Sequence, residues 1–159
     1  MAITVSVDTY ISLADANTHF DGRLYATEWT AATDAEKEAA LKEATVQIDF
    51  YEFYGLPTDT TTPQALKFPR TGLPVIDGIT YNSTDIPTRI AKACAEMALV
   101  MLKKDITSTT SQDKYKSVKL SSIEAVYRDA PISKDTVIAS GYLKGFILSG
   151  SGQASVIHG

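Results

Sequence analysis

Apolar positions along the chain recur with the period of a helix in four stretches and with the period of a strand in one. Leu41, Ala44, Ile48 and Tyr51 fall on a single helical face behind the run Thr33-Asp34-Ala35-Glu36. In such a run the threonine hydroxyl accepts from the third amide and the glutamate returns a bond to the threonine amide. A helix over 34–53 is predicted. Ile86, Ile90, Cys94, Met97 and Met101 mark a second face, and Ala91, Ala95, Ala98, Leu99, Val100 and Leu102 make most of its remaining surface apolar as well. A helix apolar nearly all round is either central in its own domain or buried against a neighbouring copy. Pro87 sits at its first position, where a missing amide costs nothing, and Lys103 and Lys104 close it with charge that suits the dipole. An earlier helix runs from 13 towards 24, with Ser12 as its cap, Asp15 at the acidic position of a capping box and Gly22 weakening its end. A last helix over about 133–148 starts at Ser133 and carries Ile138, Tyr142 and Phe146 in one stripe, with Leu143 and Ile147 beside it and Gly141 and Gly145 loosening it.

The intervening segments lack that period. Residues 1–11 alternate loosely through Ile3, Val5 and Val7, as an extended arm does. Gly55 and Pro57 end the second helix and open a long loop over 55–86, rich in Thr and Pro, with one helical turn expected at 63–66. A loop of that length is usually functional or flexible. After a Ser/Thr-rich linker, Val118 and Leu120 and then Ile123, Ala125 and Tyr127 alternate as two short strands, with a phase slip at Ser121-Ser122. Gly150-Ser151-Gly152 then releases a tail that still carries Val156 and Ile157. The expected fold is mainly α: a small bundle of about four helices, a short strand pair before the last helix, and extended N- and C-terminal arms. It forms one domain over 1–159, comprising the arm 1–11, a helical core 12–104 that contains the loop 55–86, a segment 105–148 with linker, strand pair and last helix, and the tail 149–159. No internal repeat is present.

Composition narrows the function classes. With 44% hydrophobic and 21% charged residues, the 159-residue chain is ordinary for a globular domain, which excludes wholesale disorder. The net charge is −4 and the Lys and Arg residues are scattered singly, so the basic footprint of a nucleic-acid binder is missing. Cys94 is the sole cysteine, which rules out an intramolecular disulfide and a Cys-rich metal site and fits a reducing compartment. The start of the chain lacks the basic patch and apolar run of a signal peptide, and the apolar run from Met97 to Leu102 is too short to span a bilayer. A soluble protein made in a bacterial cytoplasm is expected.

Candidate chemistry is sparse. His19 and His158 are the only histidines. Asp15 and His19 lie four apart, a spacing at which two metal ligands can share a helical face, but with no third ligand in view they read as a solvated surface pair. Asp34, Glu36, Glu38 and Glu43 read as a solvent face. No nucleophile turn of the G-x-S-x-G type and no phosphate-cradling loop with its lysine occurs, and Asn82-Ser83-Thr84 matches a glycosylation acceptor by letter only. No enzyme, cofactor or metal is expected. Phe68-Pro69-Arg70-Thr71-Gly72 is the more specific signal, open to two readings: a proline turn with Phe68 buried and Arg70 solvated, or a patch offered to a partner.

The wording of the first helix start, Tyr10-Ile11-Ser12-Leu13-Ala14-Asp15-Ala16-Asn17 and then Phe20, resembles the N-terminus of the head-tail connector (adaptor) proteins of tailed bacteriophages. The resemblance continues through the aromatic-Pro-Arg-x-Gly motif at 68–72, the Ile86-Pro87 opening of the next helix, its Ala-rich continuation from Ala91 to Ala98, and Lys116, Val118, Tyr127 and Pro131. It covers about 10–148 and departs where Ser121-Ser122 replace the family's glycine. It implies a structural virion protein at the neck, assembled in the host cytoplasm as a homo-oligomeric ring, a dodecamer matching the portal. Its partners are then the portal protein, a tail-side stopper or tail-terminator protein, and DNA that passes through the lumen without sequence-specific binding; no membrane is involved. A closed ring needs two different complementary patches on each subunit. The candidates are Phe68, Arg70, Met97, Met101, Val118, Tyr127, Val156 and Ile157, with Arg70 bridging to a carboxylate or carbonyl of the adjacent subunit. On this reading Phe68→Ala or Arg70→Ala weakens assembly without unfolding the subunit, and some of Glu36, Glu38, Glu43 and Asp49 line an acidic passage. The arm and tail either reach neighbours by strand addition or are simply frayed ends.

Related sequences are also described as DnaT-like single-stranded DNA-binding proteins, which is the alternative reading. That activity needs a basic groove with aromatic stacking platforms. Tyr25, Trp29, Phe50, Tyr51, Phe53 and Tyr54 supply aromatics, in acidic surroundings and at the spacing of packing. A small helical enzyme or toxin-type effector is a third class, to be told apart by a pocket that converges polar groups.

Overall fold

The computed structural model describes residues 2–103 and 136–148. Among them the chain is mainly helical: α1 (Leu13–Asp21), α2 (Thr27–Ala31), α3 (Asp34–Asp49), β1 (Leu56–Pro57), β2 (Arg70–Thr71), α4 (Thr88–Lys103) and α5 (Val137–Leu143). The two strands are antiparallel, pairing Leu56 with Thr71 and Pro57 with Arg70. They lie within the long loop. The strand pair expected around Val118 and Tyr127, the start of the last helix at Ser133 and the tail with Val156 and Ile157 lie outside the described residues.

The starts of α1, α3 and α4 follow the signals written in the sequence. Ser12 Oγ accepts from the Asp15 amide at 3.1 Å and donates to the Asp15 carboxylate at 2.6 Å. Thr33 and Glu36 close a reciprocal box, with the Glu36 amide 3.3 Å from Thr33 Oγ1 and the Thr33 amide 2.7 Å from the Glu36 carboxylate. The bond from the Thr33 amide holds the Glu36 carboxyl below its usual range. Pro87 stands just before α4, and its carbonyl accepts from Ile90 at 2.8 Å.

Helix ends are set by tertiary partners instead. α3 stops at Asp49 rather than 53 because residues 52–54 are drawn into an antiparallel pairing with 146–148. The Tyr54 amide donates to Phe146 O at 2.9 Å, and the Leu148 amide donates to Glu52 O at 2.8 Å. The same pairing ends α5 at Leu143, short of the expected 148. Residues 63–66 form no helical turn; Asp59 instead organises that loop by accepting from the Thr61 and Thr62 amides at 2.9 and 3.0 Å. α2, unforeseen, is five residues long and buries only Trp29.

α4 is the centre of the domain, packed most extensively against α3 and α5 and touching α1 and α2 as well. Every residue from Ala93 to Val100 is buried. Of the two fates open to a helix apolar all round, centrality in its own domain is the one realised. Cys94 lies fully buried against α3, its sulfur 3.3 Å from Thr45 Oγ1, and burial pushes its thiol up to about 11.

Candidate interaction surface

The Phe68–Gly72 motif faces inward. Phe68 is fully buried and meets Tyr10, Phe53 and Phe146 edge-on, with ring centroids 5.8, 4.9 and 6.3 Å away. A cis peptide joins it to Pro69. Arg70, only 8% exposed, spends its guanidinium on carbonyls of its own chain. Nε donates to Tyr54 O at 2.8 Å, Nη2 to Gly55 O at 2.7 Å and Phe53 O at 3.3 Å, and Nη1 to Lys67 O at 3.2 Å. A planar fork of five donors suits a bundle of convergent carbonyls, and it clamps the 53–55 segment beside β2. Gly55 makes the close approach possible: it sits at φ +74°, and a Cβ there would lie 2.2 Å from Thr71 O.

This corrects the expected bridge from Arg70 to an adjacent subunit, and with it the placing of Phe68 on an interface. Both side chains are consumed inside the subunit, because a guanidinium that satisfies four carbonyls has few donors left for a neighbour. Of the proline-turn reading, Phe68 is buried as foreseen, but Arg70 is not solvated. Met97 is likewise buried within α4's packing, and Met101 is half-buried against the core.

Asp49, expected to be able to face a DNA passage, turns inward too. It accepts from the hydroxyl of buried Tyr10, and its second oxygen lies 3.3 Å from the Lys67 amide. Burial raises its carboxyl above the usual range; the bonds from Tyr10 and Lys67 oppose that shift without cancelling it. Because the folded value is the higher one, this carboxyl's contribution is fully present below the unfolded pKa and is lost as pH rises through the folded value. Over the window that opens near the ordinary aspartate pKa of about 4 and runs upward, the wild type should therefore lose stability relative to Asp49→Asn as pH rises. Urea melts across that window would show parallel pH slopes if Asp49 were not so held.

His19 does not join Asp15. Its Nε2 lies 2.9 Å from Glu96 Oε1, and Arg23 Nε lies 2.7 Å from the same oxygen. Glu96 is only 4% exposed. A charge buried in an apolar helix requires partners, so one acid inside the 93–100 run was itself the signal that cations had to come from elsewhere. Among the described residues, no three of His, Cys, Asp or Glu are placed to hold a metal ion.

The surface around the α1–α2 turn is the other distinctive feature. A cleft of about 760 Å³ is lined by Asn17, Phe20, Arg23, Tyr25, Trp29 and Lys37, among others. Trp29 is buried, meets Phe20 with ring centroids 4.6 Å apart and planes tilted by 37°, and donates from Nε1 to Asn17 Oδ1 at 2.9 Å. Both cations are already matched by acids, Arg23 by Glu96 and Lys37 by Asp34 at 3.6 Å. Leu24 and Tyr25 stand out into solvent, 76% and 84% exposed. Of the remaining candidate aromatics, Phe53 is buried, Tyr51 half-buried, and Phe50 and Tyr54 exposed. Among the described residues no helix is long and apolar enough to cross a membrane.

A family model described as "Putative DnaT-like ssDNA binding protein" matches residues 2–158. The chain belongs to this family. No curated protein and no solved structure matches the chain. Within this DnaT-like family member the Arg70 clamp, the Glu96 cluster and the α1–α2 cleft all fall inside the matched span.

Proposed function

We propose that this DnaT-like family member is a non-enzymatic structural adaptor at the head-tail junction of a tailed bacteriophage, a subunit of a ring through which DNA passes. The observation that carries the reading is the division of its apolar side chains. The core closes around α4, yet Leu24, Tyr25, Phe50, Leu56 and Val75 remain more than half exposed. Exposed apolar side chains mark surfaces that meet other proteins where they lie next to one another, as Leu24 and Tyr25 do along the chain. Val46 on the exposed side of α3 and Phe50, four residues on at its C-cap, strengthen the point. The resemblance of residues 10–20 and 68–72 to connector proteins supplies the partners: further copies of this chain, a portal protein, and a tail-side stopper or terminator. A net charge of −4 suits a passage that must not hold DNA.

The test is location and size. The polypeptide should appear in the neck of purified particles, and sedimentation of the purified chain, alone and mixed with portal, should show ring-sized species. A monomer that never associates and is missing from particles would overturn the proposal.

Single-stranded DNA binding is the second reading. It is the one the family's description favours, and exposed Tyr25 beside Arg23 and Lys37 in the α1–α2 cleft lends it support. Binding of a fluorescent oligonucleotide that weakens steeply with salt would support it, since phosphate contacts release counterions.

A further inference from the structure

The last described segment, 137–148, is held against the rest of the subunit as a docked peptide is held. Ala139, Leu143 and Phe146 are each no more than 1% exposed. Phe146 meets Tyr81 and Phe68 edge-on, with ring centroids 4.9 and 6.3 Å away. Arg89, in the first turn of α4, gathers the carbonyls at the end of α5: Nε donates to Tyr142 O at 3.2 Å, and Nη2 to Gly141 O at 3.2 Å and Lys144 O at 3.3 Å. Residues 146–148 then add a strand to 52–54. A helix laid in a groove and a strand added to an edge are two recurring ways in which one chain takes up a segment of another.

The connection to this segment is far longer than a return within one chain needs. The Arg89 bonds place the C-terminal end of α5 at the N-terminal end of α4, while the chain leaves α4 at Lys103, the opposite end. α4 has 16 residues and is about 24 Å long, a distance that about eight extended residues cover. Between Lys103 and Thr136 the sequence supplies residues 104–135, about 110 Å when fully extended. That reach takes 137–148 to the groove of an adjacent copy. The docked segment is also flanked by apolar side chains that the contact leaves in solvent: Val137 and Ile138 at its start, Leu148 at its end and Tyr54 on the receiving edge, all at least 40% exposed.

We propose that in the assembled protein residues 137–148 of one copy occupy the groove between α4 and the 52–54 edge of the next copy, with the same contacts now made between chains. Exchange of an identical element is a low-cost route to association, because every contact of the closed subunit is formed again. Passed from copy to copy in one direction, it is a head-to-tail contact of the kind that closes a ring. The inference rests on the adaptor reading and names the segment that joins its subunits.

Cross-linking Glu52 to Leu148 in the full chain tests it. The two lie opposite each other in the pairing of 52–54 with 146–148, the Leu148 amide donates to Glu52 O at 2.8 Å, both are exposed, and the native Cys94 is buried. Opposed residues of such a pair have Cα atoms about 5.5 Å apart, within disulfide range. In Glu52→Cys/Leu148→Cys, oxidation of the assembled protein should give a ladder of linked multimers on a denaturing, non-reducing gel. Co-expression of Glu52→Cys with Leu148→Cys, one new cysteine on each chain, should give linked dimers and nothing longer, and either single variant alone should run as monomer. Circular dichroism melts under reducing conditions establish that the variants fold, and a short bismaleimide joins the same pair where oxidation is slow. A monomer band with both new thiols consumed, from protein that does form rings, would overturn the exchange and leave the adaptor reading standing. A chain that never associates and is absent from particles would overturn both.

Discussion

Replacing Arg70 by alanine should destabilise the isolated subunit by about 3–5 kcal/mol. The guanidinium is the donor for the carbonyls of Phe53, Tyr54, Gly55 and Lys67, and among the described residues no other side chain donates to them. A buried acceptor left without its partner costs about 1–3 kcal/mol, part of which water recovers where the segment is near the surface. Arg70→Lys should rescue little, because an ammonium is a point donor and cannot span convergent carbonyls as a planar fork does. Urea denaturation at concentrations too low for assembly reads the effect directly. An unchanged midpoint would show that the clamp contributes nothing to the fold and would return Arg70 to the interface where the resemblance to connector proteins had placed it.

Phe68→Ala should cost a similar amount, about 3–5 kcal/mol, by opening a cavity between Tyr10, Phe53 and Phe146. Phe68 and Arg70 secure the same segment from the inside of one loop, so the double variant should lose less than the sum of the single losses. Amide exchange gives the signature: Tyr54 and Leu148, whose amides hold the pairing of 52–54 with 146–148, should lose protection in both variants. A variant that kept those amides protected at wild-type stability would contradict the assignment of Phe68 to the core.

Local rules were legible along the chain. Ser12, Thr33 and Pro87 stand at helix starts because each supplies or dispenses with a hydrogen bond inside one turn, and such chemistry needs no distant partner. The apolar surround of α4 announced a helix with neighbours on all sides. What that pattern could not choose was whether the neighbours belonged to the same subunit or to another, since burial looks alike from the sequence in either case. α2 escaped notice because five residues hold too little of a helical period to register. The short sheet within the long loop escaped because two-residue strands have no alternation to read.

The same division runs through the candidate site. Phe68-Pro69-Arg70 was visible as a motif, but its direction depended on carbonyls contributed from 15 to 17 residues upstream and from Lys67. Glu96 was visible as an acid among alanines, but its partners His19 and Arg23 came from α1 and the turn after it, more than 70 residues away. Leu24 and Tyr25 read as two more apolar residues near the end of a helix until the turn held them outward. Sequence by itself determined where α1, α3 and α4 begin and that α4 would be enclosed, because capping and periodicity act within a few residues. Only the tertiary structure decided that the Phe68–Arg70 patch closes the subunit while the α1–α2 turn faces outward, because the partners of a side chain are set by contacts between segments far apart in the chain.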